Sequence, residues 1–181
     1  MEMFEIVNER GEVIGTAPRN VCHGDPSLVH RSVHVLVFDS AGRLLMQLRS
    51  MDKDIQPGKW DTSVGGHLGV GESYEVAAAR ETSEELGISG VSLNYLYDYQ
   101  LRNEVESENI RSFCVVYDGP IKYQAEEIDE VRFWDVDEVK KTLGTGVFTP
   151  NFEQEFGLYI KWRDSFGRSL SGNPGDEGPA L

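Results

Sequence analysis

The chain of 181 residues is 39% hydrophobic and carries 31 acidic against 17 basic residues, a formal charge of -14. That length and apolar content suit one compact domain, while the acidic balance repels phosphate backbones and argues against a nucleic-acid partner. No apolar run is long enough to span a membrane, and the opening MEMFEIVNER lacks the apolar centre of a signal peptide, so a cytoplasmic protein with no membrane partner is expected.

Residues 4–9 and 12–16 read as two short strands around Arg10-Gly11, an N-terminal β-hairpin that Pro18 closes. Residues 32–39 are β-branched and apolar, and 43–49 follow after the turn Ser40-Ala41-Gly42, which predicts a second hairpin of two central strands. Beyond the polar loop MDKDIQPGK, residues 60–67 predict a further strand ended by Gly65-Gly66. Residues 73–86 contain no Gly or Pro, include three consecutive alanines and stop at Gly87, the pattern of a helix of about four turns. Strands at 92–100 and 110–118 flank a charged loop, a short strand follows at 131–136, and helices are predicted at 136–143 and from 151 to about 163. Residues 164–181, rich in Gly, Ser and Pro, predict a flexible tail, which leaves 1–163 as a single domain. Strands before, between and after one strong helix fit an α+β domain better than a doubly wound sheet.

On the predicted helix 73–86, Ala77, Ala78, Glu81, Glu84 and Glu85 share one face at 100° per residue, and Val76, Ala79, Ser83 and Leu86 lie roughly opposite. The expectation is a helix buried on the second side, with an acidic side open to a ligand. Clustered carboxylates repel one another, so the face is either solvated or built around a cation. An arbitrary acidic helix is more often solvated. Here, however, the turn GGHLGVG precedes it, and its glycines leave main-chain oxygens approachable by a hard cation. An oxygen-rich pocket suits magnesium, with manganese as the alternative, whereas zinc would call for more His or Cys.

The stretch from Gly66 to Ile88 resembles the box of the Nudix hydrolase family, G-x5-E-x7-R-E-U-x-E-E-x-G-U, where U is a bulky aliphatic residue. Gly66, Glu72, Arg80, Glu81, Glu84, Glu85, Gly87 and Ile88 occupy its positions, and Thr82 stands where the first U belongs. The resemblance implies a Nudix-type mixed sheet sandwiched between helices, with the N-terminal β-hairpin as an extension. It implies metal ligation by Glu81, Glu84 and Glu85 with the main-chain carbonyl of Gly65 or Gly66. Arg80 would orient those carboxylates, with Glu72 and Gly66 supporting them from behind. The implied reaction is hydrolysis of a diphosphate bond in a small molecule, a nucleoside diphosphate linked to a group X. Glu81 is the first nominee for the base, with Glu108, Glu126 and Glu127 as outside nominees that more often are plain surface acids.

Residues 29–67 also resemble type I isopentenyl diphosphate isomerase, a relative on the same fold, and widen the likeness to about residues 1–134. That enzyme uses a cysteine where this chain has Gly65, and the second Glu of an E-x-E strand, which aligns with Ile110. Neither side chain moves a proton, which points to an isomerase-like branch of hydrolases. A non-catalytic nucleotide-binding module is the further alternative. His23, His30, His34 and His67 read as structural or surface residues, with His67 set apart by its place in the box. Arg31, Arg49, Lys53 and Lys59 are candidate phosphate contacts, and Glu108 a candidate substrate contact. Trp60, next to Lys59, is a candidate nucleotide contact, although it reads with Tyr97, Tyr99, Phe133 and Trp134 chiefly as core. Cys22 and Cys114 lack metal-site spacing and are expected to be reduced. The sequence leaves a homodimer open.

Overall fold

A computed structural model describes residues 2–53 and 55–166. In chain order its elements are β1 (Met3–Val7), β2 (Val13–Pro18), α1 (Arg19–Cys22), β3 (Val29–Phe38), β4 (Leu44–Arg49), β5 (Trp60–Asp61), β6 (Val64–His67) and α2 (Tyr74–Leu86). There follow β7 (Asn94–Arg102), β8 (Ser107–Val116), β9 (Ile128–Trp134), α3 (Val136–Thr142) and α4 (Pro150–Phe166). The architecture is the α+β mixed sheet with helices on its faces that the sequence suggests, and the N-terminal hairpin β1–β2 is present as an antiparallel pair.

Strand β3 organises the sheet. On one edge it pairs in parallel with β8 along its whole length, from Val29↔Ser107 to Phe38↔Val116. Its other edge is shared by β1 at His30, β6 from Ser32 to Val35, and β4 at Phe38 alone. The expected second hairpin is therefore only a turn. Beyond Phe38↔Leu44 the two strands diverge, because β6 occupies the edge of β3 while β4 pairs with β9 and β5. The segment 60–67 is correspondingly two strands rather than one, and Gly65-Gly66 lie inside β6 instead of ending it. A cleft opens where the sheet divides.

Two apolar layers close the faces, and the alternation of β3 assigns its residues to them. Val33, Val35 and Val37 pack under α2 with Ala77, Ala78, Leu86 and Ile88. Leu36 and Phe38 face the other way, into Phe148, Phe152, Phe156 and Tyr159 of the C-terminal segment. The same outward row begins with His30, Ser32 and His34, so one face of one strand runs from polar to apolar. A smaller cluster of Phe4, Ile6, Ala17 and Cys22 ties the N-terminal hairpin to the short helix α1, which the sequence reading does not anticipate. Helix α4 continues through Phe166, past the start of the expected tail, and 167–181 lie outside the described residues. Among the described residues no helix is long and apolar enough to cross a membrane.

Candidate active site and metal-binding cluster

Helix α2 is fixed at both ends by its sequence. Ser73 accepts a hydrogen bond from the Val76 N–H at 3.3 Å, and Gly87 adopts φ 67°, a left-handed geometry that closes the C-terminus without a Cβ penalty. The helix is rotated relative to expectation. Ala77, Ala78, Thr82, Glu85 and Leu86 are buried, while Val76, Ala79 and Ser83 face solvent. The face with the alanines is thus the inward one, since small side chains let the helix lie close to β6. A Cβ on Gly66 would fall 2.1 Å from Glu81 Cδ, so only glycine leaves room for that carboxylate against the strand. Thr82, the departure from the box, is buried and donates its hydroxyl to the Ala78 carbonyl at 2.6 Å, which removes the polar cost of its burial.

Arg80 gathers the acids. Its Nε and Nη2 each donate to Glu72 at 2.9 Å, Nη2 also to the His67 carbonyl at 3.0 Å, and Nη1 to Glu81 at 2.7 Å and Glu84 at 3.1 Å. Hydrogen bonds from Arg80 hold the Glu72 carboxyl below its ordinary value. Glu85 lies deeper, accepting from Gln47 Nε2 at 3.0 Å. Burial, then repulsion from Glu81, pushes its carboxyl up to about 8, and burial raises that of Glu81. Carboxylates that resist ionising side by side are the electrostatic signature of a place meant for a cation.

Glu81, Glu84 and Glu85 border a cavity of about 710 Å³. A second group of donors adjoins it. One ligating atom each of His23, His30, His67 and Glu106 come within 4.8 Å of one another, and Glu108 joins them, with Oε1 3.0 Å from His67 Nε2 and 3.4 Å from His30 Nε2. Phe4 stacks on His30 and His67, at centroid distances of 5.0 and 4.4 Å, so the N-terminal hairpin is part of this group. Burial and the neighbouring histidines lower His23 to about 4, which keeps it a neutral imidazole. Burial works to raise the Glu108 carboxyl, but hydrogen bonds from His30, His67 and Ser32 prevail and hold it well below the ordinary range. Three imidazoles beside two carboxylates are a donor set that suits a divalent transition metal better than magnesium.

The histidines were the residues that spacing concealed. Read as structural, three of the four converge, and the Glu pair beside them is Glu106-Ser107-Glu108, two residues earlier than the Glu108-Asn109-Ile110 alignment. The fourth, His34, gives Nδ1 to Glu155, a fully buried carboxylate of α4 that also accepts from Ser112 at 2.5 Å. Burial disfavours a charged ring there, yet Glu155 outweighs it and brings His34 up to about 9.

Of the other candidates, Glu81, Glu84, Glu85, Arg80, Gly65, Gly66, Arg49, Lys53, Glu108 and Glu127 all border the cavity. Arg49 is held by Asp61 at 3.2 Å and by the Ile55 carbonyl, and Lys53 pairs with Glu127 at 2.6 Å. Lys59, Trp60, Arg31 and Glu126 are not among the lining residues. Trp60 packs edge-on against Trp134 at 5.3 Å, Arg31 pairs with Glu5, and Glu126 is exposed.

Comparison with known proteins gives a consistent result. Residues 28–152 match the NUDIX domain family. An uncharacterized Nudix hydrolase of Yersinia pestis is 34% identical over 160 residues, spanning 88% of this chain and 86% of that protein. The isopentenyl-diphosphate Delta-isomerase of Streptomyces avermitilis is 36% identical over 137 residues, spanning 72% of this chain and 70% of the isomerase. Among solved structures, the DR0079 protein of Deinococcus radiodurans superposes with a TM-score of 0.75 at 25% identity, covering 87% of this chain and 98% of that one.

Proposed function

The chain belongs to the Nudix hydrolase family, and on that premise we propose that it hydrolyses the diphosphate bond of a nucleoside diphosphate-type molecule, NDP-X, by attack of water on phosphorus. The observation that carries this reading is the convergence of Glu81, Glu84 and Glu85 on one cavity, tied together by Arg80. Those three carboxylates, with the main-chain carbonyl of Gly65, would hold magnesium, or manganese in its place. When bound there, the metal supplies neutralisation of the phosphate oxygens and a water of lowered pKa.

The protein's own groups do the rest. Arg80 holds the Glu81 and Glu84 carboxylates by hydrogen bonds, and the Gln47 amide fixes Glu85. Glu81, half-sheltered beside Gly66, accepts the proton of the attacking water. Arg49 and Lys53 at the rim attract the diphosphate against the acidic field of the chain. The cluster of His23, His30, His67, Glu106 and Glu108 would hold a second divalent ion of the transition series, leaving the box carboxylates to magnesium. An isomerase would need a proton carrier at position 65, which Gly65 does not provide. Two buried free cysteines, Cys22 and Cys114, accord with a reducing cytoplasmic setting.

The test is product release from a panel of nucleoside diphosphate sugars, dinucleotide polyphosphates and nucleoside triphosphates, with and without magnesium, for the wild type and Glu81→Gln. Magnesium-dependent turnover that collapses in the variant supports the reading. Turnover unaffected by either change overturns it.

A further inference from the structure

Strands β3 and β4 part at a single hydroxyl. Beside their turn the ladder is direct, with the Asp39 N–H donating to the Arg43 carbonyl at 3.0 Å, and Phe38↔Leu44 follows. Two residues further along each antiparallel strand, the next bond of the same kind would join the Val37 N–H to the Leu45 carbonyl. The ladder stops short of that bond. The Val37 N–H donates instead to Ser63 Oγ at 2.9 Å, and Ser63 Oγ donates to the Leu45 carbonyl at 2.5 Å. One side-chain oxygen is thus wedged between two backbone groups that could have met.

Backbone satisfaction does not call for the wedge, since a direct bond would serve both groups as well. Ser63 is fully buried and stands where the chain crosses from β5, paired with β4, to β6, paired with β3. Its carbonyl shows what the opening serves. Gln47 Nε2 lies 3.4 Å from that carbonyl and donates to Glu85 Oε2 at 3.0 Å. A carbonyl only accepts, so a flipped amide would set oxygen against oxygen, and the orientation of Gln47 is determined. Strand β4 is paired on both edges at Gln47, with Asp61 and Val131, so the amide is placed by where β4 lies relative to Ser63. An amide gives Glu85 a hydrogen bond without a charge, which orients the carboxylate and leaves its attraction for a cation intact.

Resting on the hydrolase reading above, we propose that Ser63 is a positioning residue of the metal site, acting through Gln47 on Glu85. Its hydroxyl fixes the spacing of β3 and β4 where they part, its carbonyl fixes the Gln47 amide, and the amide holds Glu85. Ser63 itself does not line the cavity.

Magnesium titrated calorimetrically into the metal-free protein tests this, comparing wild type, Ser63→Ala, Gln47→Met and the double variant, with melting in EDTA read alongside. Magnesium is the probe because it seeks carboxylates over imidazoles. Each single variant is expected to weaken magnesium binding by about tenfold or more, the scale on which groups behind metal ligands act. The double variant should lose no more than Gln47→Met alone, because the two residues form one path. A serine that merely packs would lower the melting temperature and leave magnesium affinity at the wild-type value, and one acting by a separate route would multiply its loss onto that of Gln47→Met. Either result overturns the assignment, as does a wild type that binds no magnesium. If Ser63→Ala does not fold, Ser63→Cys, whose larger and weakly bonding sulfur cannot reproduce both short bonds, is held to the same outcomes. If the pattern holds while no diphosphate is hydrolysed with magnesium, the positioning role stands and the hydrolase reading fails.

Discussion

Replacing Glu85 by glutamine should make the metal-free protein more stable while destroying its response to magnesium. The Glu85 carboxyl, ordinarily near 4.5, is pushed up to about 8 by burial and by Glu81. A carboxyl raised on folding contributes its full stability below about pH 4.5 and loses it as pH rises toward 8, at about 1.4 kcal/mol per pH unit. At pH 7 the ionisation penalty is therefore about 3 kcal/mol. Glutamine does not ionise, but with one carbonyl oxygen it cannot serve both Gln47 Nε2 and the Gly65 N–H, and one lost hydrogen bond costs about 1 kcal/mol. The net gain of about 2 kcal/mol corresponds to a rise in Tm of about 4–8 °C in EDTA at pH 7, vanishing by about pH 5. Calorimetry across that range, repeated with excess magnesium, reads both effects, and only the wild type should gain from the metal. A variant that melts below the wild type in EDTA at pH 7, or a gap that does not narrow toward pH 5, would falsify the account of Glu85 as an acid strained by its place.

The two glycines of β6 should respond differently. Gly66→Ala drives Glu81 off the strand and should lower turnover by about a hundredfold or more with the fold retained, whereas Gly65→Ala should fold with a Tm near that of the wild type; equal rates in wild type and Gly66→Ala would sink the first claim. His67→Ala and Glu106→Gln should each remove one tightly bound manganese or zinc per chain, measured by elemental analysis after dialysis, and an unchanged metal content would dismiss the cluster as a site. Glu155→Gln should destabilise the protein most below about pH 6.5 and progressively less as pH climbs through 9, because the paired imidazolium is then lost from the wild type as well. A pH-independent difference in melting would show that Glu155 contributes by packing alone.

Helix α2 was legible because its punctuation is local: Ser73 before it, Gly87 after it and the glutamate spacing within it. Its rotation was not, because the projection that groups Ala77, Ala78, Glu81 and Glu85 cannot say whether that face meets water or a cavity built by distant strands. The exposed Val76, at 58%, is the residue that misleads. The histidine cluster was hidden for a related reason. Residues 23, 30, 67 and 106 share no spacing, and they meet because β3 and β8 run in parallel register while the N-terminal hairpin folds back over both. A usable hint was present in the alternation of His30, Ser32 and His34 on one strand, with Glu106 and Glu108 two apart where another begins. The divided sheet itself followed from β6 competing with β4 for one edge of β3, a contest that propensity does not decide.

The same parallel pairing fixes an order of events. Adjoining parallel strands so far apart in sequence close late, since the chain between them must be ordered before their contacts form. Glu106, just before β8, and Glu108, at its start, can therefore join His23, His30 and His67 only once that closure is made. A metal held at the cluster would then act as a latch on the finished fold rather than a nucleus for it, slowing unfolding while leaving the rate of folding unchanged.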